Sequence, residues 1–174
     1  MPLSVLRAKD IQHAPRFQLW TDAICFRDMS KEAANTYLES MCVRNGVLSA
    51  WTTLEMACID VLGIKKLTGK KDESFIQRLS RELVRRGQTP LDLQSGIWQH
   101  LNDVVRINRN IFAHSGVNFS DRFPPASLAE EAIAKVREAI LDIYARLGKT
   151  LPLGSLLINQ AVGHNAGEQS VALM

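Results

Sequence analysis

The sequence predicts an all-α protein, an antiparallel bundle of helices, and three observations carry that expectation. Apolar residues recur at three- and four-residue steps over most of the chain, strand-like alternation is nearly absent, and glycines, prolines and capping residues punctuate the pattern at helix-length intervals. At 174 residues, 46% hydrophobic and 22% charged, the chain has the size and composition of one globular domain with a short tail. It divides into an N-terminal extension with a short helix (1–29), a helical domain (30–148) and a C-terminal tail (149–174).

Pro15, ahead of RFQLWTDAI, marks the start of the short helix. Ser30 reads as the N-cap of a long helix over 30–62. Its stripe is Ala34, Tyr37, Leu38, Met41, Leu48, Trp51, Leu54, Cys58, Val61 and Leu62, which keeps its phase across Gly46. Asn45 and Gly46 form a weak point only, since an interior glycine costs about 1 kcal/mol. Gly63 is the expected stop. After a basic connector, Phe75, Ile76, Leu79, Leu83 and Val84 mark an amphipathic helix that closes at Gly87, with arginines suited to its negative end. Thr89 and Pro90 read as an N-cap and first-turn proline, and Ile97, Leu101, Val104, Val105, Asn108, Ile111 and Phe112 carry the next helix toward His114 and a stop at Ser115-Gly116. Beyond Phe123-Pro124-Pro125, Ser127 caps a final helix with the stripe Leu128, Ile133, Val136, Ile140, Ile143 and Leu147, ending at Gly148. The tail has apolar residues, scattered glycines and no caps. Its LGSLLI stretch either docks on the helices or a partner, or belongs to a poorly ordered terminus.

Charge and cysteine usage narrow the function classes. The formal charge of +3 does not by itself identify a nucleic-acid binder. Its distribution says more: Lys65, Lys66, Lys70 and Lys71, then Arg78, Arg81, Arg85 and Arg86, form either one contiguous basic surface, with the lysines as RNA contacts, or a solvated loop and helix face. The longest apolar runs are too short to span a bilayer, and MPLSVLRAKD lacks an apolar core followed by a cleavage site. A cytoplasmic protein with no membrane partner is expected. Cys25, Cys42 and Cys58 are odd in number and show no C-x-x-C spacing, so free thiols are expected. The segment GIKKLTGKK at 63–71 superficially resembles a phosphate-binding loop, but its glycines stand too far apart, Lys71 replaces the hydroxyl residue, and a helix precedes it. His13, His100, His114 and His164 have no metal-ligand spacing, and no G-x-S-x-G elbow occurs; no metal, no cofactor and no acyl-transfer triad are expected.

The segment that stands out is VVRINRNIFAHSG at 104–116, where polar residues interrupt an apolar helical pattern just before it stops. Asn110 and His114, four residues apart, share a face, and Arg106 extends the row. Arg109 lies roughly 140° around an ideal helix from His114, so the two converge only through the long arginine side chain or a distorted last turn. Arg106, Ser115 and Glu55 are candidate supporting residues. Glu55 either accepts hydrogen bonds from Arg109 across the helix pair or faces solvent. A purely local reading also stands: His114 sits at the negative end of its helix while Asn110 and Arg109 satisfy nearby carbonyls or carboxylates.

RNIFAH, with its following Gly116, resembles the R-x4-H motif, with Asn after the Arg, of the HEPN (higher eukaryotes and prokaryotes nucleotide-binding) family, and WTTLEMACIDVLG at 51–63 is similar to the stretch these domains carry on an earlier helix. The likeness covers roughly 30–147. It implies a helical bundle that dimerises through its motif helices and a metal-independent endoribonuclease site in the shared cleft. There His114 would move protons, Arg109 would stabilise charge developing on phosphorus oxygens, and Asn110 would orient the phosphate or His114. The expected partners are RNA, a second copy of the chain and, for a toxin or defence effector, a neutralising protein. The alternative is a non-catalytic member of the family that binds RNA, a nucleotide or a protein.

Overall fold

Every element among the described residues, 18–114 and 124–151 of this computed structural model, is helical. In chain order these are α1 (Gln18–Glu32), α2 (Tyr37–Leu62), α3 (Phe75–Arg85), α4 (Gly96–His100), a π turn (Leu101–Val105), α5 (Arg106–His114) and α6 (Ala126–Arg146). The all-α class is therefore as the sequence predicts. α4, the π turn and α5 follow one another without a break, so a single rod carries the polar motif.

α2 is the axis of the bundle, packed along α1, α6 and α5. Its buried residues are not confined to one narrow stripe: Val43, Gly46, Val47, Ala50, Trp51, Leu54, Cys58 and Val61 all lie inside, as suits a helix with neighbours on several sides. α3 contributes Ile76, Leu79 and Leu83 to the same core, and α6 contributes Ile133, Val136, Ile140 and Ile143. Trp98 anchors the start of the rod to α6 by donating from Nε1 to Asp142 Oδ2 at 2.8 Å. The same oxygen accepts from Arg146 Nε at 2.7 Å. Gly46 stands where α2 meets both α1 and α6. α2 runs through it unbroken, and a Cβ there would lie 3.5 Å from Ala129 Cβ and 3.6 Å from Ala23 O and Phe26 Cβ.

Some expected boundaries fall where the sequence puts them. Gly63 ends α2 in the left-handed conformation (φ 65), where a Cβ would be strained, and its N–H returns to Asp60 O. α3 begins at a full capping box, in which Ser74 Oγ accepts from Gln77 N and Gln77 Oε1 accepts from Ser74 N.

Three starts differ. The long helix does not begin at Ser30, which lies inside α1 with its buried hydroxyl donating to Arg27 O at 2.6 Å. The break comes at 33–36, where Asn35 takes φ 64, a conformation asparagine tolerates, and Thr36 caps α2 by accepting from Glu39 N. This break resets the helical phase, so Tyr37 (69% exposed), Leu38 and Met41 point outward and Cys42 and Val43 take their place in the core. Thr89 and Pro90 likewise start no helix. Asp92 Oδ1 accepts from the N–H groups of Gln94 and Ser95, a local turn that outcompetes helix, and Leu91 N donates to Ser80 Oγ. α4 begins only at Gly96. The final helix starts at Ala126 with Pro125 in the cap position and no side-chain cap, leaving Ser127 inside the first turn.

Ser115, the stop at Ser115-Gly116 and the tail beyond 151 lie outside the described residues. No described helix is long and apolar enough to cross a membrane. Cys25, Cys42 and Cys58 are free thiols, and burial pushes all three up from the usual thiol range.

The room around Gly46 fixes the sign of two substitutions. Gly46→Ala adds a methyl at ordinary contact distance and removes the helix cost of glycine, so it should stabilise the fold by about 0.5–1 kcal/mol. Gly46→Leu should destabilise it by about 1–3 kcal/mol by forcing α1 and α6 away. Thermal melts of the two variants test this, and equal melting temperatures would contradict it.

Candidate functional site

The rod changes character at its π turn. Up to and through that turn it buries Trp98, Leu101 and Val105, whereas no residue of α5 is buried. Arg106 N–H bonds back to Leu101 O, five residues earlier. That widened turn offsets the following residues by about one position on the helix face. Ile111, which an uninterrupted pattern assigns to the buried stripe, is accordingly 43% exposed. The Asn102 carbonyl, the ordinary partner of Arg106 N–H, instead accepts from Arg106 Nε at 2.9 Å. Arg106 thus braces the turn from which it projects.

A cleft of about 330 Å³ opens beside the π turn. Arg106, Arg109 and Asn110 of the rod form one wall, Trp51 and Glu55 of α2 another, and residues 71–75 at the start of α3 the third. Trp51 Nε1 donates to Glu55 Oε1 at 2.6 Å, which fixes the carboxylate at the cleft. Arg109 Nη1 donates to Asn110 Oδ1 at 3.1 Å, while Arg109 Nε is buried and has no hydrogen-bond partner among the described residues. Ser74 Oγ donates to Asn102 Oδ1 at 2.9 Å, tying the α3 wall to the rod. The cations Lys71, Arg106 and Arg109 are matched by the carboxylates Glu55, Asp72 and Glu73, so the lining is charge-balanced.

The connector before α3 owes its shape to that helix's arginines. Arg78 Nη2 donates to Lys70 O at 2.7 Å, and Arg81 reaches Glu73 Oε1 at 2.6 Å and Thr68 O at 2.7 Å. Gly69 lies beneath them, where a Cβ would stand 2.5 Å from Arg78 Cγ and Glu73 Oε2. Arg85 and Arg86 pair with Glu82 at 3.6 and 2.9 Å. The expected run of arginines is therefore engaged with its own surroundings and does not continue the lysines as one free basic surface. Lys65, Lys66, Lys70 and Lys71 are exposed, and Lys71 alone of these borders the cleft.

Of the residues the sequence singled out, Arg106, Arg109, Asn110, Glu55 and Lys71 come together in this cleft. His114, at the exposed end of α5, is not part of its lining. Glu55 neither pairs with Arg109 nor simply faces solvent, because its partner is the Trp51 indole. Sequence reasoning missed Asp72, Glu73, Ser74 and Phe75. The S-x-x-Q pattern at 74–77 is a capping-box signal that could have located the helix start, but nothing local shows which helix it faces. Among the described residues no three His, Cys, Asp or Glu side chains cluster as metal ligands. Comparison of the chain with models of protein families, with curated proteins and with solved structures yields no match.

The Lys70 backbone N–H and then the Arg81 guanidinium hold the Glu73 carboxyl below the usual carboxylate range, outweighing the opposing effect of its partial burial. A depressed folded pKa gives support that is complete above the unfolded value, about 4.3, and disappears as pH falls through the folded value. Carboxyl NMR should therefore show Glu73 titrating below an ordinary glutamate, with its midpoint rising in Arg81→Gln. An unchanged midpoint would mean that the pair does not hold the connector.

Proposed function

We propose that this chain is a metal-independent endoribonuclease that works as a homodimer, the activity its resemblance to the HEPN family implies. The RNA 2'-hydroxyl oxygen attacks the adjacent phosphorus and the bond to the 5'-oxygen breaks, leaving a 2',3'-cyclic phosphate and a 5'-hydroxyl. His114 accepts or donates the protons, since an imidazole carries one nitrogen that can accept a proton and one that can give it up. Arg109 holds the phosphate through its planar fork as charge develops on the oxygens, with Asn110 fixing the guanidinium.

The observation that carries this reading is the end of α5. It has no buried residue, and it presents an exposed imidazole roughly 7.5 Å along the axis from Arg109, beside a polar cleft. Ile107, Ile111 and His114 recur on one face, and the two isoleucines are 45% and 43% exposed. A two-fold axis along that face would cover them and bring a second His114 and a second Arg109 to the site. One imidazole could then take the 2'-hydroxyl proton while the other protonates the leaving oxygen.

One observation favours a second reading. His114 lies outside the cleft that holds Arg109, as in a module that binds RNA, a nucleotide or a protein without cutting it.

Incubating the purified protein with a mixed RNA pool in chelator, and mapping new ends, separates the two. Wild type should cut and sediment as a dimer, and His114→Ala should abolish cutting with little change in melting temperature. Arg109→Lys should keep nearly normal RNA affinity while its single-turnover rate falls about tenfold, or 1.4 kcal/mol of transition-state stabilisation. Cleavage by His114→Ala at the wild-type rate, or by a strictly monomeric protein, would remove the proposed mechanism.

A further inference from the structure

We propose that the cleft beside Arg109 is a base-recognition subsite for a guanine of single-stranded RNA. In its consequence for where RNA is cut, this inference rests on the ribonuclease reading; the binding itself does not.

The charge balance of the lining argues against a phosphate as its occupant. A phosphate inside the cleft would meet Glu55, Asp72 and Glu73 as well as the arginines, so on the ribonuclease reading Arg109 holds the scissile phosphate at the edge of the cleft and not within it. Such a lining suits a neutral group that presents hydrogen-bond donors on one edge and acceptors on another, which is what a nucleobase offers. At about 330 Å³ the cleft is at the small end of ligand sites, which run from about 300 Å³ upward.

The particular groups favour guanine among the four bases. Glu55 spends Oε1 on the Trp51 indole, and its Oε2 has no hydrogen-bond partner among the described residues. It can accept from the adjacent N1–H and N2–H donors of guanine. Arg106 spends Nε on the Asn102 carbonyl, which leaves its two terminal nitrogens for O6 and N7, the acceptors that arginine commonly reads on this base, while Arg109 stays with the phosphate. Adenine and cytosine would present the unprotonated N1 and N3 acceptors to the carboxylate, and uracil has one ring N–H and no exocyclic amine. Phe75 forms part of the cleft wall and is held edge-on to Trp51, with ring centroids 6.1 Å apart and an interplanar angle of 69°. It offers a face for stacking an unpaired base.

The Trp51 indole N–H reports on the site because it is bonded to Glu55. Its ¹H–¹⁵N signal in the intact protein is to be followed during titration with the 5'-monophosphates of guanosine, adenosine, cytidine and uridine, and with ribose 5-phosphate. The guanosine nucleotide should shift the signal at about one-tenth the concentration the others require, ribose 5-phosphate should leave it unmoved, and Glu55→Gln should erase the preference. An equal response to all four nucleotides, or to ribose 5-phosphate, overturns the proposal. If Glu55→Gln does not fold, the wild-type ranking decides alone. Guanine-selective binding by a protein that cuts no RNA supports the subsite and overturns the ribonuclease reading. His114-dependent cleavage without guanine selectivity in binding or in the mapped ends overturns the subsite alone.

Discussion

The widened turn between Leu101 and Val105 decides what the rest of the site can be. A regular α-helix from Gly96 to His114 would continue the face of Trp98, Leu101 and Val105 into α5 without offset. Bonding Arg106 N–H to Leu101 O breaks that continuity and deprives the Asn102 carbonyl of its ordinary partner. The half-buried Asn102 carbonyl is then open to a substitute donor. Arg106 Nε provides it. The Asn102 side chain meanwhile accepts from Ser74, whose hydroxyl also caps α3. A backbone irregularity, a helix cap and a cleft wall are thus joined through one asparagine.

The arginines and lysines divide the work of the basic segment by chemistry. The planar, multi-donor guanidinium groups of Arg78 and Arg81 satisfy connector carbonyls and Glu73, a task for which a single ammonium group is poorly shaped. Their packing over Gly69 fixes the path of the chain into 71–75, and with it the third wall of the cleft. The lysines stay outside on flexible stems, where compact charges can meet a phosphate backbone without ordering the loop. On the proposed reading, the connector's outer side steers RNA while its inner side frames a balanced cleft.

Signals contained within one helical turn were legible in the sequence. Gly63 ends α2, and the stripe of Ile133, Val136, Ile140 and Ile143 is buried in α6, because both depend on neighbours three or four residues away. The α1–α2 break was not, since Ser30 and Thr36 are both acceptable caps and the choice lies in which helices pack Trp20, Ala23 and Gly46. The turn at Asp92 was hidden behind a proline signal of equal local merit.

The sequence by itself determined that the protein is helical and that its polar motif lies at the end of a helix, because periodicity and caps act through the chain's nearest neighbours. Only the tertiary structure decided which way that motif faces. The one-position offset at the π turn is supported by Arg106, and through Asn102 by Ser74 from a distant segment. The cleft joins α2, the start of α3 and α5, which no local pattern relates. Arg109 and Asn110 therefore meet Trp51 and Glu55 in one cleft while His114, on the same short helix, stays outside it, a separation set by packing between elements rather than by spacing along the chain.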